Sequence, residues 1–413
     1  MTFDLPSDQD YHIIAYEPLI DNANVLHHIL LYGCTDPNGV RIPAPESCGM
    51  SQSNNDCNTI IGLWAVGVPG VCLPENLGFR IGASGYQRVR LETHWNNPAG
   101  VTNYRDSSGL RLYYRPSLPQ IQDLLTFMTG QRILKIPPGE SRVEQIGTCP
   151  SDCTRALFAK PAYVISVFNH MHYLGRAMKI ELFRNGRLIK ELSNEDYYSY
   201  DNPIQHDHQP PVQILPGDEI KTTCVFNSLS SDRWVYWGDG TNDEMCFGFL
   251  TMYPRDALPI VSASCVSMGP ASTCDFYGPQ KTSINGCDWK TFTNGSHPET
   301  DRLWEKLEKN CNLDGFCRPE CREITDELKK HPCMQGEVGD LVNFRLVRSH
   351  EGSQFLGRVH SCPTRGQDPG GVDCRTQCAD VCYDDVRDSA PGSSAMFGVV
   401  SSLFAIVRLT SML

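Results

Sequence analysis

The sequence predicts an all-β protein: two antiparallel, jelly-roll-like β-sandwich domains followed by a Cys-rich extension with short helices. Three observations carry this. As far as about Pro254, short runs of β-branched and aromatic residues alternate with Gly, Pro and Asn turns, and helical periodicity is nearly absent. At 413 residues the chain is long enough for two cores plus an extension. From Cys265 onward the character changes, and eleven of the 19 cysteines fall there.

Taken in order, strands are expected at Tyr11 to Tyr16, Val25 to Tyr32, Gln87 to Trp95 and Gly109 to Tyr114, then at Ala162 to His172, Met178 to Arg184, Glu219 to Asn227 and Phe247 to Tyr253. Ile136-Pro137-Pro138-Gly139 followed by Cys149-Pro150-Ser151-Asp152-Cys153 reads as a junction. The first domain is therefore expected over residues 1–145 and the second over 146–280. In the extension, 281–388, Glu299 to Lys309 and Glu320 to Lys330 read as amphipathic helices, and the Gly/Pro-rich 363–373 as a flexible loop. Residues 389–413 open on small residues, Ser389 to Ser394, and continue apolar from Ala395 to Leu413. That order suits a lipid-anchor signal that is cut off, with a tail packed on the protein as the alternative. As a membrane-spanning helix it is marginal, being short and carrying Arg408.

Hydrophobic content of 40% and charged content of 20% describe an ordinary globular protein. A formal charge of −12 argues against nucleic acid or an anionic membrane surface as partner. Cysteines scattered from Cys34 to Cys382, few at zinc-finger spacing, point to disulfides made in an oxidising compartment. The secretory pathway is thus expected, with a secreted, vesicular or cell-surface product. Asn294-Gly295-Ser296 is an N-glycosylation acceptor sequence that fits it. Met1-Thr2-Phe3-Asp4-Leu5-Pro6 has neither the basic start nor the apolar run of a signal peptide. With the odd cysteine count, this leads to the expectation that an upstream segment is missing.

The chemistry-bearing stretch is Val164-Ile165-Ser166-Val167-Phe168-Asn169-His170-Met171-His172. Side chains two apart on a strand share a face, so His170 and His172 can present two imidazoles to one metal ion. The chain also offers the His27-His28 pair, His94 in Leu91-Glu92-Thr93-His94-Trp95, and Met245 in Asp243-Glu244-Met245-Cys246. Imidazoles plus a thioether suit copper cycling between Cu(II) and Cu(I). Adjacent histidines on a regular strand face opposite ways, so His27 and His28 share a metal only through a bulge or different ring nitrogens. Otherwise one is buried and the other exposed. His206-Asp207-His208, among Asn202-Pro203 and Gln209-Pro210-Pro211, reads as a solvated loop. His297, His331, His350 and His360 lie in the extension without a visible ligand set.

Four segments in register resemble the copper type II, ascorbate-dependent monooxygenases. They are Val25 to Cys34 around His27-His28, Leu91 to Pro98 around His94, His170-Met171-His172, and Asp243-Glu244-Met245-Cys246. Tyr11 to Pro18 and Asp106 to Tyr114 are most similar to the dopamine β-monooxygenase branch and its DBH-like members, and the resemblance covers roughly residues 8–330. It implies two copper domains. His27, His28 and His94 would hold an electron-transferring copper, and His170, His172 and Met245 the copper that binds dioxygen. Ascorbate would supply the electrons, and an activated C–H bond of a small molecule would be hydroxylated.

The resemblance also implies the disulfides Cys34–Cys57, Cys149–Cys265, Cys153–Cys311 and Cys224–Cys246. It gives Cys48 a partner upstream of residue 8 and Cys72 none. In the peptide-amidating branch an Arg lies two residues before His-x-His, where this chain has Phe168, and Phe247 and Phe249 stand where that branch has Asn and Tyr. Three apolar aromatics argue against a carboxylate pocket and for an apolar or aromatic substrate such as a phenylethylamine, unless they point into the core. The reading from another class is a non-catalytic secreted or surface protein that keeps copper without turnover.

Overall fold

The β-rich expectation holds in the computed structural model, which describes residues 1–46, 48, 56–97, 99–240, 242–258, 264–277, 283–313 and 317–362. In the first sandwich one sheet has the order Thr2–Asp4, Arg88–Trp95, Leu26–Cys34, Cys57–Ala65. The other is built on Asp10–Leu19, which pairs antiparallel with Leu77–Gly82 and Gly109–Pro116. Alternation puts Ile29 and Leu31 of Leu26–Cys34 into the core with Ile13, Ile61 and Phe79. Leu30 and Tyr32 pack on the opposite face with Cys34 and Cys57, so the whole strand is buried.

The second sandwich has a six-stranded sheet ordered Gln205–Ile214, Ala162–His170, Phe247–Tyr253, Leu125–Gln131, Ser264–Met268, Ala271–Ser272. Its partner sheet runs Val143–Cys149, Glu219–Phe226, Gly175–Arg184, Arg187–Glu195. Phe127, Val164, Val167 and Leu250 from one sheet meet Ile180, Leu182, Ile220 and Phe226 from the other. Pairing is antiparallel except that Leu125–Gln131 runs parallel to Ser264–Met268. Leu125–Gln131 precedes residue 146 in sequence yet is hydrogen-bonded into this sheet.

Met1–Thr282 makes one compact unit and a second begins at Ser283. The second carries helices Pro298–Asn310 and Pro319–Leu328, near the expected places, and Gly336–Leu346 and His350–His360, which were not expected. Gly336–Leu346 buries Val338, Leu341, Val342 and Leu346 but starts on Gly, which blurred its signal. His297 and His331 serve there as caps, accepting from the backbone N–H groups of Glu299 and Cys333. No helix among the described residues is long and apolar enough to cross a membrane. The expected loop at 363–373 and the tail at 389–413 lie outside the described residues.

Cys34–Cys57, Cys149–Cys265 and Cys224–Cys246 form as the resemblance implied. The Cys153–Cys311 expectation is corrected: Cys153 pairs with Cys274, and Cys311 with Cys321. Helix Thr273–Tyr277 follows the Ser264–Met268 strand and brings Cys274 beside Cys153, whereas Cys311 belongs to the second unit with Cys321 only ten residues away. Cys287–Cys333 and Cys317–Cys362 complete that unit's bridges among the described residues. Cys48 and Cys72 are exposed free thiols.

A second correction concerns His206-Asp207-His208, which sits in the Gln205–Ile214 strand rather than a solvated loop. That strand is at the sheet edge, where prolines cost no ladder hydrogen bond. His206 Nε2 is 2.9 Å from a Glu195 oxygen and His208 Nε2 2.9 Å from the Leu192 carbonyl.

Candidate metal centre

Leu26–Cys34 pairs with Arg88–Trp95 so that Leu26 stands opposite Trp95 and His28 opposite His94, with a register shift between Leu26 and His28. One extra residue on one strand is a β-bulge, and it breaks the alternation that would send His27 and His28 to opposite faces. Their Nδ1 atoms are 3.1 Å apart. One ring nitrogen from each of His27, His28 and His94 lies within 4.8 Å of the others. Asp106 steadies the two strand ends that carry these rings. It accepts from the Trp95 indole N–H at 2.7 Å and from the Asn22 backbone N–H at 3.0 Å.

The second set is held differently from the expectation. The Ala162–His170 strand stops at His170, so strand alternation does not place His172. Hydrogen bonds do. The buried Glu244 carboxylate accepts backbone N–H groups from His172 at 2.9 Å, Leu174 at 2.6 Å and Met245 at 3.2 Å. Burial pushes the Glu244 pKa up to about 7, against the pull of these three donors. His172 Nδ1 lies 2.9 Å from the Asp243 carbonyl, to which it donates, and this leaves Nε2 as the free lone pair. The His170 and His172 ring centroids are 5.3 Å apart.

Met245 is fully buried with Phe168, Phe247, Phe249 and Ala65, and the next residue, Cys246, is bridged to Cys224. The three phenylalanines thus pack together on the Met245 side. Phe168 and Phe249 also border open space.

The two sets abut, with His28 and His170 ring centroids 6.0 Å apart. Between them lies Tyr200, which no sequence pattern singled out; it sits in Tyr197-Tyr198-Ser199-Tyr200, away from every motif. The Nε2 atoms of His27, His28, His170 and His172 are buried without a hydrogen-bond partner. Each such orphan costs about 1–3 kcal/mol, and a bound metal ion is the partner that converging imidazoles fit.

Burial pushes the His27 and His172 pKa values down to about 4, lowers that of His94, and puts His28 and His170 well below the usual value; neighbouring imidazoles deepen the shifts for all but His94. All five are neutral at pH 7, the form that ligates. In the metal-free protein the unfolded chain takes up protons that the folded state refuses. Stability is therefore expected to fall as pH drops from about 6.5 toward about 4. Urea midpoints of metal-free protein above and inside that window measure this, and equal midpoints would contradict it.

Residues 1–102 match the family model described as copper type II ascorbate-dependent monooxygenase, N-terminal domain, and residues 121–277 match its C-terminal domain. The chain is 31% identical over 281 residues to MOXD1 homolog 1 of Drosophila melanogaster, covering 63% of this chain and 39% of that protein. It is 33% identical over 268 residues to DBH-like monooxygenase protein 1 of Gallus gallus, covering 61% and 44%. With the dopamine beta-hydroxylase of Canis lupus familiaris it shares 30% over 270 residues, covering 62% and 43%. The chain spans about two-fifths of the length of these curated relatives. With both domains of one family matched in order, the chain belongs to the copper type II ascorbate-dependent monooxygenases.

Proposed function

We propose that the chain hydroxylates an activated C–H bond of a small apolar or aromatic substrate, with dioxygen as oxidant and ascorbate as electron donor. The observation that carries this reading is the pair of abutting histidine sets whose buried ring nitrogens lack partners. His27, His28 and His94 would hold one copper, and His170, His172 and Met245 the other. Bound copper supplies one-electron chemistry with dioxygen that no side chain offers. The residues do the rest. Burial keeps the imidazoles neutral, the Asp243 carbonyl fixes the His172 tautomer, and Glu244 ties the His172 turn to Met245. Phe168, Phe247 and Phe249 keep water from the Met245 side.

Support for the substrate class comes from a cavity of about 470 Å³, lined also by Tyr16, Phe79 and Tyr253, which touches none of the six candidate ligands but shares Leu63, Phe168 and Phe249 with the pocket at His27, His28 and His170. Among the described residues its wall carries one carboxylate, Asp207, and no lysine or arginine. Such a wall favours a neutral or cationic molecule with an apolar body, phenylethylamine-like in kind, over a carboxylate. Ascorbate-driven oxygen uptake is expected with an arylalkylamine and absent with its carboxylate analogue. Asp207→Asn is expected to raise the KM of the amine about two- to fivefold, the scale of a partly exposed ion pair. Equal uptake with the carboxylate would sink the substrate class.

The seven disulfides among the described residues support maturation in an oxidising compartment, hence a secreted, vesicular or surface protein. Anchorage through the apolar tail is supported by its composition alone.

A further inference from the structure

Asn294-Gly295-Ser296 is the one Asn-x-Ser/Thr triplet in the 413 residues, and it lies in the second unit, outside both matched copper domains. It forms the turn between helices Trp289–Phe292 and Pro298–Asn310. Phe292 is buried and anchors the turn at its start. Gly295 lies against Trp304: a Cβ there would meet the indole ring at 3.2 Å, so the middle of the triplet is held close to the protein. The residues on either side of it, Asn294 and Ser296, are both exposed.

A turn asparagine has an ordinary duty, and Asn294 performs it. Its Oδ1 accepts the Ser296 backbone N–H at 3.2 Å, an Asx turn. That bond employs the oxygen alone. Among the described residues neither Asn294 Nδ2 nor the Ser296 hydroxyl has a hydrogen-bond partner. Serine is also a common helix cap, but the cap of Pro298–Asn310 is His297, which accepts from the Glu299 N–H. The fold thus explains the Asn294 oxygen and leaves the amide nitrogen, with the hydroxyl two residues on, facing solvent for another use.

We infer that Asn294 is the acceptor for an N-linked oligosaccharide. The donor is an oligosaccharide carried on a lipid pyrophosphate. A bond forms between Asn294 Nδ2 and the anomeric carbon of the first sugar, and the bond from that carbon to the pyrophosphate oxygen breaks. The lipid pyrophosphate leaves, and the amide gives up one proton to the transferase. The inference rests on the secretory reading proposed above.

The test uses the full chain, led into the secretory pathway of a eukaryotic host by an appended signal sequence, with its disulfides mapped on the same preparation. An amidase that releases N-linked glycans should shift the parent by the mass of one glycan and leave aspartate in place of Asn294, read by mass spectrometry. Asn294→Gln should show no shift. Ser296→Ala, which keeps Asn294 and its turn, should show none either, and Ser296→Thr should keep the shift. A shift that persists in Asn294→Gln or Ser296→Ala would overturn the assignment. A parent with its bridges formed and no glycan would overturn it while leaving the secretory reading intact. A parent with neither bridges nor glycan would overturn both.

Discussion

His170→Ala is expected to lose about one of two bound coppers, His27→Ala the other, and each to abolish ascorbate-driven oxygen uptake. The expectation rests on which nitrogens are orphaned. His27 Nε2 and His170 Nε2 are both buried without partners, and they belong to different strands and different sandwiches. Removing one should therefore unmake one site and spare the other. Even partners that merely hold metal ligands are worth about 10–100-fold in affinity or activity, so loss of a ligand should cost at least about 100-fold in turnover. Metal analysis and oxygen uptake on the same preparations check this. One copper in the parent, lost only with His170→Ala, would mean that a single site binds. Two coppers with no uptake for any substrate would favour a copper-keeping protein without turnover.

Glu244→Ala should be the most destabilising single change near the site. Its carboxylate is the acceptor for three backbone N–H groups, those of His172, Leu174 and Met245, and the side chain is 1% exposed. Water does not reach these donors easily, so the substitution leaves them unpaired. At roughly 1–3 kcal/mol for each of the two fully buried donors, those of His172 and Met245, the loss should be about 2–6 kcal/mol, with a smaller share from the half-buried Leu174 N–H, a large fraction of a domain's stability. Glu244→Gln keeps the shape and one acceptor oxygen and should lose about half as much. Urea unfolding of the metal-free variants measures both. Copper analysis should also find the His170 site emptied before the His27 site, because Glu244 joins the segments that carry His172 and Met245 and touches neither His27 nor His28. A Glu244→Ala protein as stable as the parent would refute this account.

Much of the fold was legible because short strands with one buried face write their period into the sequence. Phe247–Tyr253 falls where alternation predicts it, and the other expected strands differ by a few residues at their ends. The candidate ligand residues were legible as residue types at spacings, but their geometry was not. His27 and His28 converge through a register shift that arises from pairing with Arg88–Trp95, and no local pattern encodes it. His172 lies beyond its strand and is set by Glu244 and Asp243, more than seventy residues away. Tyr200 was invisible because its partners come from two segments distant in sequence, one at His27 and one at His172 and Tyr173. The prolines at 210 and 211 hid an edge strand, since proline counts against a strand only where its missing N–H is needed. Cys153 was assigned a distant partner because cysteine positions alone do not say which helix folds back beside which.

The bulge between Leu26 and His28 has an implication for how such sites are lost. The extra residue of the bulge is His27 itself, so a chain lacking its neighbour Leu26 would lose the register shift yet still contain every histidine and the methionine, and an inventory of candidate ligands would score it intact. Its strand would run in plain alternation, however, and would turn one of the two imidazoles toward the opposite face. The convergence of these imidazoles is thus a property of strand frame as much as of residue identity, and a one-codon deletion would undo it without removing a single histidine.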